Sequence, residues 1–264
     1  MCVVKRLLLF TILLSLALPA WARPVRHLST LSNAQFTPKQ FSGLIFWFDA
    51  SDLSSLSLSG SNVTQWADKS GSGFNATQGT AINQPLTGGA INGKNALRFS
   101  NANQTYLLFN GSMKVNTMAV VWKYNTTPWA NFLGVITARN STAVLTSNGA
   151  YNAGMQGVAS TTNICGLGQS TTGVWVDNVS AVAANFDTYL VGIGSAPLTT
   201  PHLFTYTDDV GASGAMYFAI GIDVFEAIRG LDGQIAEIVA YDRALSAGEI
   251  STLNRALKSK WGIA

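Results

Sequence analysis

The sequence predicts an all-β protein, an antiparallel sandwich of two packed sheets closed by a short C-terminal helix. Three observations carry this. Turn formers are abundant, with 25 glycines in 264 residues, while glutamate, a good helix former, occurs only at Glu226, Glu237 and Glu249. Short runs rich in Val, Ile and aromatics alternate with Gly/Asn/Ser/Thr segments, as strands alternate with turns. No strand–helix–strand alternation appears, which argues against a parallel α/β fold.

The first element is a leader. Lys5 and Arg6 form a positive start, residues 7–18 an apolar run, and Ala20-Trp21-Ala22 the small residues a signal peptidase reads. We read residues 1–22 as a secretory signal peptide cleaved after Ala22. The run is short for a hydrocarbon core of ~30 Å, and no later stretch is long enough to span one. The expected location is extracellular or at the cell surface, with the periplasm as an alternative. Residues 23–40 form a lead-in, and residues 41–264 the domain.

Candidate strands follow at 44–48, 96–100, 106–109, 117–124, 132–137, 174–177, 189–193, 202–206, 215–220 and 234–241. The last element is a helix. Ser246 and Glu249 have capping-box spacing. Ile250, Leu253, Leu257 and Trp261 fall on one stripe. Arg255, Lys258 and Lys260 favour the C-terminal dipole, and Gly262 is placed to end the helix. The stripe is expected to pack the helix on the sandwich.

The formal charge of +3 owes two units to Lys5 and Arg6 in the leader. What remains is nearly neutral and lacks the basic footprint of nucleic-acid binders. Beyond the leader Cys165 is the single cysteine, so no intramolecular disulfide forms there; without a nearby His or Lys it reads as a small buried side chain. Asn-x-Ser/Thr triplets at Asn62, Asn75, Asn103, Asn110, Asn125, Asn140 and Asn178 fit the frequency of those residues in the chain.

Two segments carry a resemblance. The first holds Gly43-Leu44-Ile45-Phe46-Trp47-Phe48-Asp49-Ala50-Ser51-Asp52, then Val63-Thr64-Gln65-Trp66-Ala67-Asp68-Lys69-Ser70-Gly71, then Ile91-Asn92-Gly93-Lys94-Asn95-Ala96-Leu97-Arg98-Phe99. The second runs from Gly233-Gln234-Ile235-Ala236-Glu237-Ile238-Val239-Ala240-Tyr241 through Asp242-Arg243-Ala244-Leu245-Ser246 into Lys260-Trp261-Gly262-Ile263. Together they resemble the laminin-G-like, concanavalin A-like jelly-roll domains of secreted bacterial and phage proteins. The resemblance covers residues 41–110 and 215–264. It implies a jelly-roll and leaves the ligand open, because the fold serves lectins, adhesion modules, glycosidases, lyases and virion parts. Trp47 and Phe99 are expected between the sheets, Trp66 in the core or at its rim, and Glu237 as a paired or outward-facing strand carboxylate rather than a catalytic acid.

Jelly-roll glycosidases of the laminarinase type carry a Glu-Ile-Asp-x-x-Glu motif whose first Glu is the nucleophile and last the acid/base. Here Gly221-Ile222-Asp223-Val224-Phe225-Glu226 aligns Asp223 and Glu226 but puts Gly221 at the nucleophile position. We therefore assign no catalytic residue. His27 and His202 are the histidines available for a zinc site or triad, and His202 is expected on a strand surface. No cofactor is required by any motif. Calcium is the ion the acidic pairs suit, at Asp208 and Asp209, with Asp49 and Asp52 as a second pair.

Sugar binding uses aromatic faces together with a few converging polar groups. The polar middle of the chain offers Tyr124, Trp129 and Tyr151 with Asn125 and Asn131. Trp129 follows Pro128 in a loop and is the leading candidate. The sequence thus reads as a secreted, non-enzymatic binding or adhesion module for a glycan or cell-surface polysaccharide. A jelly-roll glycoside hydrolase or lyase, and a structural protein of an envelope or virion, are the alternatives.

Overall fold

The computed structural model describes residues 36–126, 133–139, 153–157, 163–168, 171–177, 179–181, 191–192, 198–208, 215, 217–222 and 230–264. The first part of the chain supplies β1 (Leu44–Asp49), β2 (Leu56–Ser59), β3 (Asn62–Trp66), β4 (Ala76–Thr77), β5 (Leu86–Ile91), β6 (Lys94–Phe99) and β7 (Leu107–Phe109). The middle supplies β8 (Thr117–Tyr124), β9 (Leu133–Arg139), β10 (Ala153–Gly157), β11 (Asn163–Gly168), β12 (Thr171–Val176), β13 (Val179–Ala181) and β14 (Val191–Gly192). The last part adds β15 (His202–Asp208), β16 (Tyr217–Ile220), β17 (Gly233–Tyr241) and the helix α1 (Ala247–Trp261). The described residues are all-β with a C-terminal helix.

The strands pair antiparallel. β17 lies between β1 and β8, β8 is flanked on its other side by β15, and β15 by β12. A second run goes from β3 through β4 and β7 to β16 and β9. β6 pairs with both β17 and β5, and β5 touches β3, so the two runs are parts of one curled sheet.

Strand parity explains the packing. Phe46 and Phe48 of β1, Val120 and Trp122 of β8 and Ile238 of β17 lie in one buried cluster with Trp66, Phe109 and Phe218 from the second run. Phe109 meets Phe46 edge-on at 4.9 Å between ring centres and Phe48 at 5.3 Å, geometries that the ring quadrupoles favour. Ala119 and Val121, the alternate residues of β8, point to the opposite face, as do Ala236 and Val239 of β17, where a register shift between Ile235 and Glu237 interrupts the alternation. There they meet Ile250, Leu253, Leu257 and Trp261 of α1. The central strands are covered on both faces, which is why β8 reads as a continuous apolar run.

The helix forms as its sequence dictates. The Ser246 side chain accepts from the Glu249 amide, and the Glu249 carboxylate accepts from the Ser246 amide. Gly262 takes the left-handed conformation (φ 65°) that glycine adopts without a Cβ clash. Ahead of β1, the Phe36 and Phe41 rings pack against the helix-side cluster, and the Tyr241 hydroxyl donates to the Pro38 carbonyl (3.0 Å).

Two expectations need correction. Trp47 does not fill the inter-sheet core beside Phe99. It sits between Phe46 and Phe48 and points, half-buried, to the helix side. His202 is not a surface histidine but is 1% exposed. Trp66 is fully buried in the core.

Candidate functional site

Of the residues expected to meet a sugar, Tyr124 and Asn125 are described. Tyr124 ends β8 with its side chain buried in the core cluster that holds Phe46 and Trp122. Asn125 follows it and is exposed. Its amide N–H donates to the Asp232 carbonyl (2.9 Å) and its Nδ2 to Asp232 Oδ1 (3.1 Å). Asp232, next to β17, is a polar neighbour that sequence reasoning missed, because nothing in the chain pairs residues so far apart. Trp129, Asn131 and Tyr151 lie outside the described residues. So does Asp209, while Asp208 closes β15 with its backbone opposite Thr171.

The second acidic pair holds a cation of the protein's own. Lys69 Nζ stands 2.7 Å from Asp52 Oδ2 and 3.1 Å from Asp49 Oδ2, and 4.4 Å from the centre of the Trp47 ring. Hydrogen bonds from Lys69 and Ser54 hold the Asp52 carboxyl down at about 2. The loop carrying Lys69 is fixed by Asp68, whose Oδ1 accepts from the Trp47 amide (2.9 Å) and the Ser70 amide (2.8 Å). This anchors the Asp68-Lys69-Ser70 turn against β1.

Next to this pair is a buried polar cluster around Glu237. Glu237 of β17 is 2% exposed. Its Oε1 accepts from Trp47 Nε1 (2.7 Å), and its Oε2 accepts from Trp261 Nε1 (2.6 Å) and Lys260 Nζ (2.7 Å). Lys260 Nζ also lies 2.8 Å from Asp49 Oδ1. Burial pushes the Glu237 carboxyl above the usual carboxylate range, with the Lys260 charge pulling the other way and the Asp49 charge adding to the rise. Burial opposes ionisation of Asp49 as well, but bonds from Lys260 and Ser51 and the charges of Lys260 and Lys69 outweigh it and hold its carboxyl low. Glu237 is thus a paired strand carboxylate engaged by three donors from β1 and α1.

His202 begins β15 and belongs to a second polar junction. Its Nδ1 is 2.7 Å from Asp177 Oδ2 and its Nε2 is 3.2 Å from Thr200 Oγ1. Asp177 adopts a left-handed conformation (φ 51°) in the turn after β12, which a short polar side chain tolerates. Its Oδ1 accepts from the Leu203 amide (2.8 Å), and its carbonyl accepts from Lys258 Nζ (2.8 Å). The junction ties turn, strand and helix together.

Gly221, at the position of the glycosidase nucleophile, has a backbone reason to be glycine. Its φ is +87°, and a Cβ built there would lie 2.2 Å from Cδ1 of Phe99. Its amide donates to the Val135 carbonyl (2.8 Å), and its carbonyl accepts from Leu231 (2.9 Å). A carboxylate side chain has no room at this position. Asp223 and Glu226 lie outside the described residues.

No family model matches the chain, and no curated protein matches it. Solved structures resemble it at low identity. The sialidase of Trypanosoma rangeli, in complex with 2,3-difluorosialic acid, aligns with a TM-score of 0.45 and 14% identity, over 81% of this chain and 33% of that one. Domain 4 of AbnA, a GH43 extracellular arabinanase from Geobacillus stearothermophilus in complex with arabinotriose, gives 0.45 and 12%, over 80% and 98%. The binding domain of Paraclostridial Mosquitocidal Protein 1 gives 0.37 and 10%, over 84% and 53%. The chain spans about a third of the length of the sialidase.

Proposed function

We propose that the protein is a secreted binding or adhesion module of the concanavalin A-like, laminin-G-like jelly-roll type, with a glycan as its partner. The fold reading is supported by the resemblance of the two end segments. It is supported too by the pairing of β1 with β17, which sets the first and last strands side by side. The observation that carries binding over hydrolysis is Gly221. The position that would bear the nucleophile is instead a left-handed glycine packed under Phe99, and no glycosyl-enzyme forms on a residue without a side chain. Glu237, the other acid of interest, is held by two indoles and an ammonium rather than turned toward solvent.

The glycan contact is assigned to the polar segment that begins at Asn125, with Trp129 as its stacking face and Asn131 and Tyr151 as further contacts. Asn125 is exposed and held at its base by Asp232, a rigid start for such a surface. Calcium, if used, is assigned to Asp208 and Asp209. A glycan array probed with residues 23–264, with and without chelator, tests the reading. Retained glycans lost in Trp129→Ala with unchanged thermal unfolding support it. A signal unchanged in Trp129→Ala moves the site elsewhere, and release of reducing sugar from a polysaccharide overturns the non-enzymatic assignment.

A further inference from the structure

The cluster around Glu237 holds more chemistry than docking a helix demands. An amine, a carboxyl and a second, buried carboxyl meet within hydrogen-bond reach: Lys260 Nζ is 2.8 Å from Asp49 Oδ1 and 2.7 Å from Glu237 Oε2. Asp49 and Glu237 are direct partners in the β1–β17 register, so the backbone itself fixes their separation. The side chains are 7%, 2% and 21% exposed for Asp49, Glu237 and Lys260, so water has little access to the two carboxyls. Two indole N–H groups clamp Glu237 in one orientation.

We propose that Lys260 and Asp49 become joined by an intramolecular amide bond, formed by the folded chain itself, with Glu237 as the catalytic proton carrier. Glu237 takes a proton from the Lys260 ammonium. The freed amine attacks Cγ of Asp49, and Oδ1 leaves with two protons from the original ammonium, one of them relayed by Glu237. The products are a neutral secondary amide and one water, and no oxidant or co-reactant is needed. Lys69 Nζ, 3.1 Å from Asp49 Oδ2, stands where negative charge develops on the oxygen that stays.

Amide formation from an amine and a carboxylate is uphill in dilute water. Here the reactants are held together by the fold, and effective molarities of about 10⁵–10⁸ M are typical of well-oriented intramolecular pairs. The product also removes two opposite charges from a partly dry site, where ion pairs bear a desolvation cost. Burial, which raises the Glu237 carboxyl, suits it to carry the proton between steps. The amide N–H left on Lys260 keeps Glu237 Oε2 as its acceptor.

The test is denaturing intact-mass spectrometry of the purified full chain, followed by tryptic mapping. The expected result is a mass lower by one water than the processed sequence requires. A branched peptide should join the Asp49 segment to the Lys260 segment, with no cleavage after Lys260. Lys260→Arg keeps the positive charge beside both carboxylates but cannot form this amide, and Glu237→Gln removes the proton carrier. Both should give linear chains at full mass, with folding checked by circular dichroism. A wild-type chain at full mass that trypsin cleaves after Lys260 overturns the proposal, whatever the variants do. A branch at Lys69 instead overturns the assignment of the amine, and efficient cross-linking in Glu237→Gln overturns the role of the acid.

Discussion

Asp49 and Glu237 stand opposite each other in the β1–β17 ladder, and Lys260 from the end of α1 bonds to both. Two acids facing across a ladder repel one another. Before the amide forms, the arrangement holds because the helix delivers a cation between them and Lys69 supplies a second on the Asp49 side. The helix is therefore docked by charge as well as by its apolar stripe.

Glu237→Ala leaves two indole N–H groups and Lys260 without their shared acceptor. Breaking a buried pair by removing one partner costs about 3–5 kcal/mol. Urea unfolding should show a loss of that order, while a loss below about 1 kcal/mol would place the pair among ordinary surface bridges.

Gly221→Ala combines a left-handed backbone with a direct clash against Phe99. Backbone strain of roughly 1–3 kcal/mol adds to an overpacking cost of about 1–3 kcal/mol. Gly60 also has positive φ (62°) but open space around it, so Gly60→Ala should cost only about 1 kcal/mol. The two denaturation midpoints should separate the clash from the strain.

Acid should weaken the fold in a defined window. The bond from Arg243 holds Glu249 down at about 2, against an ordinary 4.5, and Lys69 holds Asp52 at about 2, against 3.8. A carboxylate whose pKa is lower in the folded state contributes stability above its unfolded value and loses it as the pH falls. Thermal midpoints should therefore decline as the pH drops from about 4.5 to about 2. The decline should be shallower in Glu249→Gln and Asp52→Asn, and an identical slope in both variants would contradict the assignment.

Tyr124→Ala and Trp129→Ala should part company. Tyr124 is buried among core aromatics, and truncating a buried aromatic costs about 3–5 kcal/mol. Its loss should show in thermal unfolding. Trp129→Ala should leave unfolding unchanged and remove glycan retention.

The sequence announced the strands that are apolar and flanked by turns: the limits of β8 and, to within a residue, of β17 read directly from it. It did not announce β2 or β5. β2 (Leu56–Ser59) is a largely exposed strand in which serine replaces half the apolar residues. β5 carries Gly88 at positive φ and a register shift before Gly89, which breaks the alternation a strand shows. The face of Trp47 was hidden for a different reason. A strand covered on both sides has no polar beat to reveal which residues point inward. The same holds for the polar clusters. Lys260 and Asp49, or His202 and Asp177, are joined by topology, and no local spacing signals that. The capping box of α1 could be read because its two partners are three residues apart.

The pairing of β1 with β17 has a consequence for biogenesis. Strand β1 finds its neighbour only after every residue between it and β17 has been synthesised, and Asp49 meets Lys260 later still. Such distant pairing makes for slow, late closure. A chain emerging from the ribosome would thus stay slack around β1 and would tighten only once β17 and α1 have followed.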